Sequence, residues 1–181
     1  NILDSCLDTV VNGLKKTARV VIRPHPQYIQ RSPQRWSEIC EQYSADPMVS
    51  VEQDFSSNET IYKASFVVTD WSNIGYEYSF SSLRPVMFVN TPVKVINEDY
   101  REIGVEPIDF TIRSKLGAEV SGKDEAEIET AARDLLENNL RWADNIAAVR
   151  EEAVFNFENS SKYAGKYILS RLKQKKTDKN D

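Results

Sequence analysis

The stretch "SFVVTDWSNIGYEYSFSSLRPVMFVN", residues 65–90, decides the fold. It opens with an apolar run, Phe66 to Val68, that stops at the polar pair Thr69 and Asp70. It closes with a second apolar run, Val86 to Val89, entered through Pro85. Neither run alternates apolar with polar, so each reads as a strand buried on both faces. The residues between them, from Ser72 to Leu83, have the length of a helix. A strand, a helix and a second strand in that order make a parallel crossover unit.

Working outward, the same alternation continues. "RVVIRP" is a short apolar run ended by Pro24, and "MVSVEQ" is a second strand candidate. Leu3, Leu7, Val10, Val11 and Leu14 lie on one face of a helix through "ILDSCLDTVVNGLKK". Ser32 is a candidate N-cap, with Pro33 at the first helical position and Trp36, Ile39, Cys40 and Tyr43 facing inward. "NETIYKA" reads as a helical turn. After Asn90 the pattern loosens into a long loop region with one short strand expected at residues 108–112. Residues 123–157 are strongly helical, with acidic residues at the start and a break at Asn138 and Asn139. A last helix begins at Ser160, with Tyr163, Tyr167, Ile168 and Leu172 at apolar spacing. The expected fold class is α/β: a Rossmann-like parallel sheet with helices on both faces.

The 181 residues carry a formal charge of −5, which argues against nucleic acid as the main partner. The one basic stretch is the C-terminal end. It reads first as a solvated helix end, and second as a weak attraction to an anionic membrane surface. Cys6 and Cys40 read as two buried free thiols suited to a reducing cytosol, and neither has the neighbours of a zinc site. No apolar run approaches 18 residues, the length that would span a membrane. The chain lacks an initiator Met and opens inside a helical pattern, which reads as a fragment of something longer.

Ligands of open α/β sheets bind at the carboxyl ends of the strands, and two segments fall there. The first is the turn "RPHP". Pro24 and Pro26 each fix their own φ, and Pro26 pushes His25 into an extended conformation. His25, the single histidine, can then act as a base or as a donor to a phosphate oxygen. It reads equally as a loop histidine with a structural hydrogen bond. Arg23 reads as a charge partner for phosphate or as a solvated strand-end arginine. The second segment is "TDWSNIGYE". Ser72 and Asn73 sit where a helix offers open N–H groups and a positive dipole end, which suits a diphosphate. Gly75 weakens a helix by about 1 kcal/mol and reads as room for a ligand. Glu77, about one turn on, is placed to take both ribose hydroxyls. Asp70 is unfavourable beside a phosphate and reads instead as fixing a loop or orienting His25. Neither a dinucleotide fingerprint nor a P-loop is present.

The ordered pair "RPHP" and "TDWSNIGYEYSF..RPVMFVN" resembles the C-terminal half of the CDP-glycerol:poly(glycerophosphate) glycerophosphotransferases, the bacterial teichoic-acid-type polymerases and primases. Trp71 stands where that pattern has tyrosine, Asn73 where it has a second serine, and Glu77 where it has aspartate. "EDYREIGVEPIDF" and "FNFENSSKYAGKYILSRL" are similar to its closing segments. The resemblance implies the second half of a GT-B glycosyltransferase-like fold. Residues 1–158 would form the nucleotide-donor-binding domain, lacking its first strand. Residues 159–181 would form a helix that crosses back to a missing N-terminal domain, followed by a basic tail. It implies that His25 contacts the donor pyrophosphate or assists transfer, that Ser72 and Asn73 hold phosphate oxygens and that Glu77 holds the ribose. The loop at Asp54, Phe55 and Ser56 would meet the cytosine. It further implies CDP-glycerol or a related nucleotide donor, a lipid-linked acceptor, CMP as leaving group and no cofactor. The setting would be cytoplasmic, at the inner face of the plasma membrane. That family also uses a second histidine as base, which would have to lie upstream, leaving this chain alone inactive. No carboxylate pair has metal-ligand spacing, so no protein-held metal is expected. Two other readings stay open: a GT-B sugar transferase or epimerase using a UDP-sugar, and a non-catalytic interaction domain.

Overall fold

The computed structural model describes residues 1–93 and 99–177. Its five strands are all parallel within their sheets. β1 (Val20–Ile22) pairs with β2 (Val49–Val51), and β3 (Val67–Thr69), β4 (Val86–Val89) and β5 (Gly117–Val120) form a three-stranded sheet in that order. The register sets Val67 beside Val86, and Val86 beside Gly117.

Every side chain of β4 is buried. Met87 and Val89 point into one cluster with Val120, with Val10 and Leu14 of α2 (Leu7–Lys15), and with Ile128, Ala132 and Leu135 of α10 (Glu125–Glu137). Val86 and Phe88 point the other way, onto Tyr78 of α6 (Ile74–Ser82), Leu116 of α9 (Arg113–Leu116), and Ile146 and Val149 of α11 (Asn139–Ala153). Alternate residues therefore serve opposite faces, and helices cover both, which is why the run has no polar member. The fold is mixed α/β with small parallel sheets, compatible with a Rossmann-like arrangement.

Helix α2 joins the two sheets. Its Val10 and Leu14 pack on the β4 side with partly buried Val20 and Val68, while Leu7 and Val11 pack with Ile22 and Val49. Trp36, Ile39 and Tyr43 of α4 (Pro33–Tyr43) complete that second cluster. The N-terminal helix is broken where the sequence pattern is continuous. α1 (Ile2–Ser5) ends at Cys6, whose φ of −153° lies outside the helical range. Both cysteines are free and partly exposed rather than buried.

The region after Asn90 differs most from expectation. Residues 108–112 are not a strand. α8 (Ile108–Thr111) is one of three four-residue helices there, with α7 (Tyr100–Ile103) and α9. The strand in this region is β5, and Gly117 explains why it is hard to see. A Cβ at Gly117 would collide with the carbonyl oxygen of Val86, so the pairing with β4 demands glycine. Asn138 does separate α10 from α11. α12 (Ser160–Thr177) leaves Tyr163, Tyr167, Ile168 and Leu172 each more than half exposed, at 55–62%. Among the described residues no helix is long and apolar enough to cross a membrane.

Candidate functional site

Both sequence-selected segments follow the carboxyl end of a parallel strand: Arg23, Pro24 and His25 after β1, and Asp70 to Asn73 after β3. His25 is extended, with φ −67° and ψ 138°, as the following proline dictates. It is exposed and caps α3 (Pro26–Arg31), its Nδ1 accepting from the Gln27 N–H at 3.2 Å. That bond has a chemical consequence. With Nδ1 accepting, the proton of the neutral ring sits on Nε2. His25 therefore presents a donor to solvent, which suits a phosphate oxygen better than proton abstraction.

Arg23 is neither solvated nor free. It pairs with Glu52 at 2.7 Å and donates through Nη2 to the Ser57 carbonyl at 2.8 Å and to Asn58 Oδ1 at 3.2 Å. Its guanidinium also lies 5.2 Å from the Phe55 ring centre. Glu52 takes a further bond from the Thr60 hydroxyl. Arg23 thus shapes the loop from Glu52 to Asn58. Within it, Asp54 accepts from the Ser56 N–H, a bond that holds its carboxyl below the usual range, with the Ser56 hydroxyl adding to the effect.

Asn58 links this loop to α6. Together with Ile61, Tyr62, Ile74, Glu77 and Tyr78 it lines a cavity of about 50 Å³. The structure therefore brings Glu77 to the loop that Arg23 orders; neither His25 nor Ser72 lines this cavity. A nucleotide needs several hundred Å³, so this cavity is too small to hold one. A larger, more open cavity of about 380 Å³ lies between α9 and α11, with Ser114, Lys115 and Glu152 in its wall.

Two expectations at the second segment are corrected. Helix α6 begins at Ile74, two residues after Ser72, where the sequence pattern places its start. Its N-cap is Asn73, with no side-chain capping bond, and Ser72 contributes only its carbonyl, to the Gly75 N–H. Gly75 makes no room for a ligand. It is buried, and a Cβ there would stand 3.0 Å from Phe88 Cε1 and 3.1 Å from Thr69 Cγ2. Close seating of α6 on β3 and β4 accounts for the glycine.

Asp70 is 8% exposed. It belongs to a charged group that the sequence reading missed, centred on Arg113. That side chain is 2% exposed, with its guanidinium carbon 3.9 Å from the Trp71 ring centre and 4.9 Å from that of Phe88. Its nearest ion partner is Glu119, 3.8 Å from Nε. Burial pulls the arginine pKa down, while Glu119, Tyr76, Asp109 and Asp70 oppose that shift. Burial and a hydrogen bond to Asp109 raise the Tyr76 phenol. Trp71 is fixed by its indole N–H to the Thr91 carbonyl at 2.9 Å and by edge contact with Phe110 at 5.8 Å. The signal available in the sequence was an arginine flanked by Ile112 and Leu116 at helical spacing, inside a stretch too short to show a period.

Known proteins offer no further constraint. No family model, curated protein or solved structure matches this chain. Among the described residues no group of three or more His, Cys, Asp or Glu is disposed to hold a metal ion.

Proposed function

We propose that this chain is the donor-binding half of a GT-B-like transferase that moves glycerol phosphate from CDP-glycerol to the hydroxyl end of a lipid-linked polyol-phosphate acceptor. The observation that carries the reading is positional. The RPHP turn directly follows β1, and the DWSN turn, residues 70–73, directly follows β3 and leads into α6. In open α/β sheets that is where nucleotide ligands sit. Residues 1–158 form the binding domain in this reading, and α12 carries the apolar face that meets the other domain.

The chemistry asked of these residues is modest. The acceptor hydroxyl oxygen forms a bond to the phosphorus of the glycerol phosphate. The bond from that phosphorus to the CMP oxygen breaks, and CMP leaves with the electron pair. The hydroxyl proton goes to a base contributed from outside these residues. His25 donates Nε2–H to a diphosphate oxygen, and the Ile74 amide and the dipole at the start of α6 share the developing charge. Glu77 takes the ribose hydroxyls, and the Arg23-ordered loop with Asp54, Phe55 and Ser56 faces the cytosine. Transfer of this kind is driven mainly by positioning and charge stabilisation.

Thermal unfolding with CDP-glycerol, CMP, UDP and GDP tests this. A ligand at 100 times its dissociation constant stabilises by about 2.7 kcal/mol. For a chain of this size that raises Tm by roughly 5–10 °C. Preference for the cytidine compounds supports the reading. Preference for UDP transfers it to a UDP-sugar enzyme, and no shift with any nucleotide leaves a non-catalytic interaction domain.

A further inference from the structure

We infer that Arg113 and the N-terminal turn of α6 form one anion subsite whose ligand group is a phosphoryl oxygen cluster. The inference rests on the functional reading above only for the nucleotide that carries that group.

The first observation is an unanswered cation. All three guanidinium nitrogens of Arg113 are buried and make no hydrogen bond among the described residues. An arginine stays charged and carries five N–H donors that want acceptors. Asp70, Asp109 and Glu119 face it, with the Tyr76 phenol, and all four favour its charge. The nearest ion contact, Glu119 at 3.8 Å, is too long for a hydrogen bond. The faces of Trp71 and Phe88 hold the guanidinium without accepting from it in its plane. Buried polar groups in folded proteins nearly always find partners, and each exception asks for a reason.

The second observation is where the cation lies. Trp71 comes two residues before the N-cap Asn73, and Tyr76 lies in the first turn of α6. Arg113 therefore lies on the ring of a residue just before that helix start and interacts electrostatically with the phenol of one in its first turn. α6 is nine residues long and has no side-chain cap at its N-terminus. The Gly75 and Tyr76 amides already donate to the Ser72 and Asn73 carbonyls, so among the described residues Ile74 N–H is the amide of the first turn left to an outside acceptor, and the helix dipole favours negative charge there. A guanidinium and a helix N-terminus select the same thing, an oxyanion with several oxygens. A phosphoryl group has three, enough for the Ile74 amide and a two-pronged guanidinium contact together; a carboxylate has two. Asp70, Asp109 and Glu119 repel any incoming anion, so the guanidinium must be reached by direct hydrogen bonds that outweigh that repulsion. Phe110 stands edge-on to Trp71 and is 37% exposed, so the Trp71 ring is backed on one side by a residue that reaches solvent.

Pyrophosphate is the probe, titrated into the chain at constant ionic strength and followed by calorimetry and thermal unfolding, with CDP-glycerol in parallel. The expected result is pyrophosphate binding that weakens at least tenfold in Arg113→Met and less in Arg113→Lys. Arg133→Met removes a charge from the exposed Glu129 pair on α10 and is expected to bind like the parent. Unliganded Arg113→Met should unfold at or above the parent temperature, because an apolar side chain replaces an unsatisfied buried charge. Equal pyrophosphate binding by the parent and Arg113→Met overturns the inference, as does absence of binding by the parent. If Arg113→Met does not fold, parent-like binding by Arg113→Lys together with a lowered unfolding temperature overturns it. Equal CDP-glycerol binding by parent and variant sinks the subsite and leaves the functional reading standing. Arg113-dependent pyrophosphate binding with no preference for cytidine does the reverse.

Discussion

Arg23 and Glu52 are ion-paired at 2.7 Å, so the first residue beyond β1 is clamped to the first residue beyond β2. The pair is mostly shielded, with side-chain exposures of 15% and 19%. Arg23 also holds the Ser57 carbonyl, which makes it the organiser of the loop proposed to meet the base.

Arg23→Met should destabilise the chain by about 1–3 kcal/mol, because it strands a shielded Glu52 carboxylate and frees the loop. A solvated arginine would give less than about 0.5 kcal/mol. Urea denaturation at neutral pH distinguishes the two. A loss below that smaller figure contradicts the clamp.

His25 has two separable roles, a cap and a donor. Asparagine is among the best N-caps, so His25→Asn should keep stability close to that of the parent, while His25→Ala loses about 1 kcal/mol. Both variants remove the Nε2–H and should weaken nucleotide binding alike. If His25→Asn binds CDP-glycerol as tightly as the parent, the histidine is a cap and nothing more.

Asp8 links α2 to α4. It accepts from the Tyr43 hydroxyl at 2.6 Å and from Gln42 Nε2 at 2.7 Å. The Tyr43 bond, helped by Gln42, holds its carboxyl below the usual range. A folded-state pKa below the unfolded value stabilises the fold above about pH 4, and the effect is lost as pH falls through the folded value. Asp8→Asn should be less stable than the parent at pH 7, with the gap narrowing below about pH 4. Urea midpoints that differ equally at pH 7 and pH 3 contradict this.

Two glycines should respond to alanine in opposite directions. At Gly13 a Cβ would stand 2.7 Å from Ile128 Cβ and 2.9 Å from the Glu125 carbonyl oxygen, where α2 crosses α10. Backbone cannot yield cheaply, so Gly13→Ala should lose about 1–3 kcal/mol despite its better helix propensity. At Gly165 in α12 nothing lies within 4 Å. Gly165→Ala should therefore be neutral or gain up to about 1 kcal/mol of helix stability. Circular dichroism melts of the two variants give the signs.

The legible parts of this fold are the ones whose burial leaves a one-dimensional trace. β4 is apolar throughout because both its faces are covered, and α2 and α4 show a helical period because one face of each is buried. β5 left no such trace. Its first residue must be glycine for the β4 backbone to approach, and Glu119 points toward Arg113. Residues 108–112 alternate apolar with polar like a strand, yet Pro107 and the edge contacts of Phe110 with Trp71 and Tyr100 accompany a helical turn there. At the site, the strand-end positions of His25 and Ser72 were legible. The partners of Arg23, the packing reason for Gly75 and the whole Arg113 cluster were not, since each depends on residues distant in the chain.

In the proposed complex one nucleotide contacts both the β1 turn and the α6 start. Amide chemical-shift mapping of the isotope-labelled chain during a CDP-glycerol titration tests it directly. Saturable shifts are expected at His25 and Gln27, at Ser72 to Ile74 and at Glu77, all fitting one dissociation constant. Shifts confined to one of these segments, or gathered instead at Ser114, Asn145 and Glu152 between α9 and α11, would contradict it.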